Sequence, residues 1–289
     1  TTLVSEGMEA FTDTRRVYDA QLGVLELMLA DHKQNCLSCA RNGTCELQAL
    51  CRRFNLLVPD LPDISSREPL RVDNPSVVRD PAKCVKCGRC VKACEEIQGI
   101  NALTHSGRSA NFRVTTAFDL PMAETDCVLC GQCSLVCPVG AIVEEDSTAP
   151  VWRAIHDSGK HVVVQVAPAV RVALGDEFGF EPGAIVTGQM TTALRMLGFN
   201  KVFDTNFAAD LTIIEEGSEL LDRLKNGGTL PLITSCSPGW VNYVEKHHPE
   251  LMDNLSSAKS PQGMFGAVTK TYYAQRMGLN PEDIICVSV

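Results

Sequence analysis

Two stretches of the chain share one cysteine spacing, C-x2-C-x2-C-x3-C, and that spacing constrains the fold more than any other feature. Cys84, Cys87, Cys90 and Cys94 recur forty-three positions later as Cys127, Cys130, Cys133 and Cys137. Cysteines this close crowd soft ligands onto one short loop, which suits a metal that binds thiolate. Of the 14 cysteines, twelve fall between Cys36 and Cys137, and only Cys236 and Cys286 follow. A disulfide framework would suit a small exported domain. Thr1 to Met8 hold neither a basic n-region nor an apolar h-region, so no signal peptide is legible and the default compartment is the cytoplasm. Metal is therefore favoured over disulfide.

The repeat has the spacing of bacterial two-cluster ferredoxins, in which the fourth cysteine of each run ligates the other cluster. One [4Fe–4S] cubane is expected on Cys84, Cys87, Cys90 and Cys137, and a second on Cys127, Cys130, Cys133 and Cys94. Gly88 and Gly131 would let backbone N–H groups approach the sulfides. Paired zinc sites would not need the distant fourth ligand. A third set reads His32-x3-Cys36-x2-Cys39-x5-Cys45. Three thiolates and an imidazole could hold zinc. They could equally hold a cubane, whose net charge the neutral imidazole makes less negative, tending to raise its potential. One nitrogen of His32 is expected on the metal and the other on a protein acceptor. Cys51 fits none of these patterns and reads as a buried core thiol.

Around these sites the chain reads as four segments: 1–31, 32–75, 76–148 and 149–289. Val17 to Leu29 has helical period, with Asp13 or Thr14 as its cap. Pro59 to Pro75 is polar and proline-rich, as a linker is. Beyond about residue 150, strand and helix alternate. Strands are expected at 161–166, 201–203, 230–234 and 283–289, the last an inner strand. Helices are expected at 170–178, 191–197, 210–225, 239–246 and 262–277. The fold class is thus multidomain, α+β followed by α/β with a largely parallel sheet. The last run stops in mid-strand and the first residue is not Met, so both ends read as cut. A net charge of −9 argues against nucleic acid, and no run approaches the ~20 apolar residues of a membrane span.

The His/Cys set followed by a two-cubane unit resembles the layout of large iron–iron hydrogenases, which respiratory complex I and some formate dehydrogenases share. VAPAVR (Val166 to Arg171), TSCSPGW (Thr234 to Trp240) and SSAKSPQ (Ser256 to Gln262) resemble the hydrogenases specifically, in the right order, and the likeness covers essentially the whole chain. It implies that His32, Cys36, Cys39 and Cys45 bind a [4Fe–4S] cluster. It also implies a [2Fe–2S] domain before residue 1, whose trailing edge SEGM (Ser5 to Met8) resembles. Residues 149–289 would be the N-terminal part of the hydrogen-activating domain. There a cubane joins, through one cysteine, a two-iron centre carrying CO, cyanide and a bridging amine dithiolate (the H-cluster). By this resemblance Ala167 and Pro168 line the cyanide side, and Gln262 lies near the cluster pocket.

The resemblance further gives Cys236 the role of passing protons to the bridging amine, with Ser256, Glu216 and Glu219 leading outward. Glu216 and Glu219 share a helix face, and Ile213 and Leu220 are expected to place Glu216 near the apolar side. Without the neighbouring motifs, two such glutamates would read as a solvated face. Ser237 stands where the family has a cysteine that ligates the active-site cubane. The family's M-P-C-x-x-K motif after VSV and its later C-x3-C are not in this sequence, so the H-cluster is expected only in the complete protein. The implied reaction is 2H⁺ + 2e⁻ ⇌ H2. The implied setting is an NAD(P)-linked, electron-bifurcating enzyme that also uses ferredoxin, with flavin, nucleotide and [2Fe–2S] on partner subunits. A non-catalytic electron-transfer or sensory hydrogenase-like subunit is the other reading, and Ser237 favours it.

Overall fold

The computed structural model describes residues 3–66 and 68–289, and the chain divides at Glu145/Asp146 into two compact units. The first unit opens with helix α1 (Arg15–Ala30), whose end is capped as Thr14 accepts the N–H of Val17. Leu22, Leu25 and Leu29 recur at helical spacing and pack on Leu47, Phe54, Leu56, Val139 and Ala141. That stripe ties α1 to helix α2 (Glu46–Arg53) and to the residues that trail the second cysteine run. Strand β1 (Val77–Arg79) precedes the first run, followed by helix α3 (Arg89–Lys92). Strands β2 (Thr104–Ser106) and β3 (Arg113–Thr115) form an antiparallel ribbon between the runs. Helix α4 (Gln132–Leu135) and strand β4 (Ile142–Glu144) close the unit, with β4 antiparallel to β1 in the register Val78↔Val143. The β1–β4 pair thus brackets both cysteine runs.

The stretch expected as a linker is not a free tether. Arg71 lies 2.9 Å from Glu68 and 2.9 Å from Asp119, and Arg113 bonds Glu68 at 2.8 Å and Asp119 at 3.0 Å. The Arg71 backbone pairs with Arg79. Polar composition misled because these side chains are paired with each other.

The second unit begins with α5 (Thr148–His156) and strand β5 (His161–Val166). Helices α6 (Val170–Glu177) and α7 (Thr187–Met196) follow, then strand β6 (Lys201–Asp204) and helix α8 (Thr205–Asn226). Helices α9 (Pro238–His247), α10 (Pro261–Val268) and α11 (Ala274–Met277) precede strand β7 (Ile284–Ser288). The three strands are parallel in the order β6-β5-β7. β5 is central, and its valines are buried on both faces. Val163 packs on Ala208, Phe265, Ala274 and Ile284, while Val162 and Val164 pack on Phe199, Ile155 and Leu194. Each valine so buried contributes about 1.5–3 kcal/mol relative to exposure.

Three expectations are corrected here. Residues 230–234 make only a parallel bridge, Ile233 to Leu255, because Pro231 has no N–H and its carbonyl accepts from the Asn254 side chain. The strand expected to be inner is an edge of the described sheet, since β5 takes the centre. The helix expected over 262–277 is interrupted by a π turn at Thr269–Tyr273. Phe265 and Ala274 both enter the same core. At about 100° per residue an unbroken helix would set them on opposite sides, and one inserted residue brings them to within about 80°. Among the described residues, no helix is long and apolar enough to cross a membrane.

Candidate metal centres and a carboxylate–hydroxyl cluster

His32 follows directly on the cap of α1 and is only 7% exposed. Its ring bonds the backbone of Lys83, whereas Nδ1 is buried without a hydrogen-bond partner. Burial lowers its pKa, which the Lys83 backbone opposes, so the imidazole is held neutral, the state that binds metal. His32, Cys36, Cys39 and Cys45 line one cavity of about 290 Å³. Cys36 opens a short 3-10 turn and Cys45 caps α2, so local backbone turns carry the sulfurs inward. Gly140 forms part of the wall: a Cβ there would lie 2.4 Å from Cys39 Sγ. Cys51 differs from expectation. It is half-buried rather than a core thiol, and it lines this same cavity from the next turns of α2. Burial, then Cys45 and Cys36, push its thiol up.

The two cysteine runs adopt one backbone twice. Lys86 and Leu129 have φ 57° and 59°, and Gly88 and Gly131 both have φ 75°. A left-handed conformation costs a non-glycine residue about 1–2 kcal/mol. Here it turns the N–H of Lys86 onto Cys84 Sγ and that of Leu129 onto Cys127 Sγ, each at 3.4 Å. Cys84, Cys87, Cys90 and Cys137 line one cavity. Burial and then Cys84 and Cys137 push Cys90 up to about 12. Burial and then Cys127, Cys130 and Cys94 push Cys133 up to about 12. The eight thiols therefore sort into two crossed sets by proximity. Cys94 reaches the second set from a π turn, Ala93–Ile97, at the end of α3. Such clustered, buried thiols are costly to ionise unless a metal cation compensates.

Among the described residues, no three His, Cys, Asp or Glu side chains converge on a single-ion site. Tetrahedral zinc would require sulfurs about 3.8 Å apart. The sulfurs instead surround cavities, with an orphaned imidazole nitrogen and a glycine wall at one of them. This donor set fits iron–sulfur clusters. The His32 cavity and the Cys137 cavity are joined through the backbone: Glu46 N–H donates to the Pro138 carbonyl at 3.0 Å. Arg89 bonds the Glu46 carboxylate at 2.7 and 2.9 Å across the same seam.

In the second unit, Ala167 and Pro168 follow the C-terminal end of β5, and Ala167 N–H bonds the Val289 carbonyl at 2.8 Å. Parallel α/β sheets bind ligands at this edge. The buried Gln165 amide organises it, accepting from Thr205 and donating to Ser288 and to the Gln262 carbonyl. Pro168, Cys236, Ser237 and Gln262 are exposed. Ser237 is the N-cap of α9, but its hydroxyl makes no capping bond. Cys236 makes no hydrogen bond among the described residues, although its neighbour Ser235 donates to the Ser256 and Ala258 carbonyls.

Glu219 and Ser256 are in direct contact. Ser256 Oγ donates to Glu219 Oε2 at 2.8 Å, joined by Ser257 N–H at 3.1 Å, while Arg223 donates to Oε1 at 2.6 Å. Burial raises the Glu219 pKa, but these donors outweigh it and the net shift is down. Glu216, on the same inner stripe as Ala208 and Thr212, is pushed up by burial and by Glu219. Its placement does not come from the expected neighbours: Ile213 is 68% and Leu220 38% exposed. Arg223 and Gln165 were not singled out from the sequence. Only the i,i+4 spacing of Glu219 and Arg223 could have signalled the first.

Residues 160–289 match the family described as iron-only hydrogenase large subunit, C-terminal domain. Residues 21–58 match the iron–sulfur binding region of NADH-ubiquinone oxidoreductase-G, and residues 75–141 match a 4Fe–4S dicluster domain. The whole chain is 47% identical to NADP-reducing hydrogenase subunit HndD of Solidesulfovibrio fructosivorans and covers 50% of it. It is 39% identical to iron hydrogenase 1 of Clostridium pasteurianum, again over the whole chain and 50% of that protein. Over 45% of this chain it is 35% identical to the cytosolic Fe–S cluster assembly factor narfl of Danio rerio, covering 33% of that protein. The chain spans about half the length of the two hydrogenases.

Proposed function

With residues 160–289 the chain belongs to the iron-only hydrogenase large-subunit family, and we propose that it is the electron-relay half and part of the hydrogen-activating half of a multisubunit enzyme that interconverts protons and H2. The observation that carries this reading is the Ser256–Glu219 hydrogen bond, a buffered proton station beside the TSCSPGW turn. Electrons pass to or from NAD(P)-linked and ferredoxin partners in the cytoplasm, with flavin and [2Fe–2S] centres on partner subunits or a preceding domain. The H-cluster belongs to the complete protein.

Three [4Fe–4S] clusters, when bound, supply one-electron steps. The protein holds them on Cys84, Cys87, Cys90 and Cys137, on Cys127, Cys130, Cys133 and Cys94, and on His32, Cys36, Cys39 and Cys45. The N–H groups of Lys86 and Leu129 disperse charge on Cys84 and Cys127 and so favour the reduced state. His32 does the same for its site by being neutral. Replacing it in His32→Cys is expected to keep that cluster and lower its potential in an EPR-monitored titration. An unchanged potential and spectrum would remove His32 from the ligand set. Cys236 is the inner proton donor, since a thiol with pKa of ~8.5 exchanges protons near neutral pH. Ser256, Glu219 and Glu216 carry protons onward, with Ala167, Pro168 and Gln262 bordering the pocket.

Ser237 supports a second reading. A serine oxygen is a harder, more basic iron ligand than thiolate, and one relative of this chain is named as an assembly factor rather than a hydrogenase. The discriminating experiment assays H2 production and oxidation in the matured full-length subunit and in Ser237→Cys. Activity in the unmutated protein is expected. Activity in Ser237→Cys alone would establish the non-catalytic reading.

A further inference from the structure

We propose that the Cys51 thiol donates a hydrogen bond to the cluster held by His32, Cys36, Cys39 and Cys45 and thereby raises that cluster's potential. The inference rests on the cluster assignment above and concerns a residue outside every ligand pattern. Two independent observations support it. Cys51 lines the same cavity as the four ligands, half-buried on α2, with Cys45 and Cys36 as its electrostatic neighbours. The cavity itself is built for a ligand, because His32 is 7% exposed there and its Nδ1 has no partner.

Five donors therefore face a group with four corners. Three thiolates and the imidazole complete the set, which leaves the fifth side chain as a neighbour of the cluster. A thiol with its ordinary pKa of ~8.5 keeps its proton at neutral pH and is a weak S–H donor. Hydrogen bonds to cluster sulfurs disperse negative charge, and the reduced cluster carries more of it, so the reduced state gains most and the potential rises. Other polar residues on the cavity wall have donors engaged elsewhere: Arg41 on the Ser134 carbonyl and Gln48 on the Asn42 side chain. Cys51 thus supplements what His32 does by being neutral, and both act in the same direction.

The test uses the full-length subunit in its native complex, comparing the unmutated protein with Cys51→Ala and Cys51→Ser. Iron and acid-labile sulfide are counted first, and each cluster is then titrated by EPR. Both variants should retain all iron and sulfide. In Cys51→Ala the oxidised-to-reduced ratio of the His-ligated cluster at fixed potential should rise about fivefold, about 40 mV downward for a one-electron couple. Cys51→Ser, which restores an O–H donor, should stay at or above the unmutated value. The other two clusters should not move. Three results would overturn the proposal: no shift in Cys51→Ala, an equal downward shift in both variants, or loss of one cluster's iron from Cys51→Ala, which would make Cys51 a ligand. Absence of a His-type cluster signal in the unmutated protein would overturn the cluster assignment as well, and so marks the failure of that earlier reading separately.

Discussion

In the matured full-length enzyme, Cys236→Ala and Glu219→Gln are each expected to lose most H2 production and most H2 oxidation while every cluster signal is retained. A positioned proton donor or acceptor contributes about 10²–10⁴-fold, so the losses should span orders of magnitude. Both directions should fall together because one path serves both. Glu219 makes this test sharp. It accepts the Ser256 hydroxyl, and Gln can still accept that bond but cannot take up a proton. Glu216, with its pKa pushed up by burial and by Glu219, is the more readily protonated of the two carboxyls. Separation of two neighbouring pKa values by environment is how paired carboxyls acquire different roles. Glu215→Gln is the contrast: that side chain is exposed, and its loss should be nearly silent. Near-normal rates in Cys236→Ala would refute the relay.

The second large effect concerns the crossed cysteine sets. Cys137→Ala should remove the cluster shared with Cys84, Cys87 and Cys90 and leave the one on Cys94, Cys127, Cys130 and Cys133. Cys94→Ala should do the reverse. Each loss amounts to about four irons and four sulfides per chain. The expectation rests on proximity, since Cys137 is a charge neighbour of Cys90 and Cys94 of Cys133. If Cys137→Ala instead abolished the signal of the second triplet, each run would be holding its own cluster, and the crossed assignment would be wrong. EPR of the remaining clusters distinguishes these outcomes even where total iron falls further.

What could be read from the sequence, and what could not, follows from where the physics acts. Local chemistry was legible. The doubled spacing marked the thiols, Thr14 the start of α1, and the valine run His161–Val166 a strand buried on both faces. Features set by tertiary contact were not. Nothing local distinguishes the polar stretch around Glu68 and Arg71 from a loose linker, because its ion pairs reach Arg113 and Asp119 far along the chain. The π turn at Thr269–Tyr273 arises from the need to put Phe265 and Ala274 into one core. Proline at 231 was a visible argument against a strand there, and hydropathy outweighed it. In the candidate sites, Gln165, Arg223 and Cys51 were missed for a common reason. Each matters through partners distant in sequence or on the far side of a helical turn, so no motif contains it.

Chemical analysis of iron, acid-labile sulfide and zinc in the anaerobically reconstituted chain tests the central claim most directly. Three cubanes on the twelve proposed ligands predict about twelve irons and about twelve sulfides per chain, with zinc negligible. Bound zinc with little or no sulfide would contradict the electron relay, and with it the hydrogenase reading built on it.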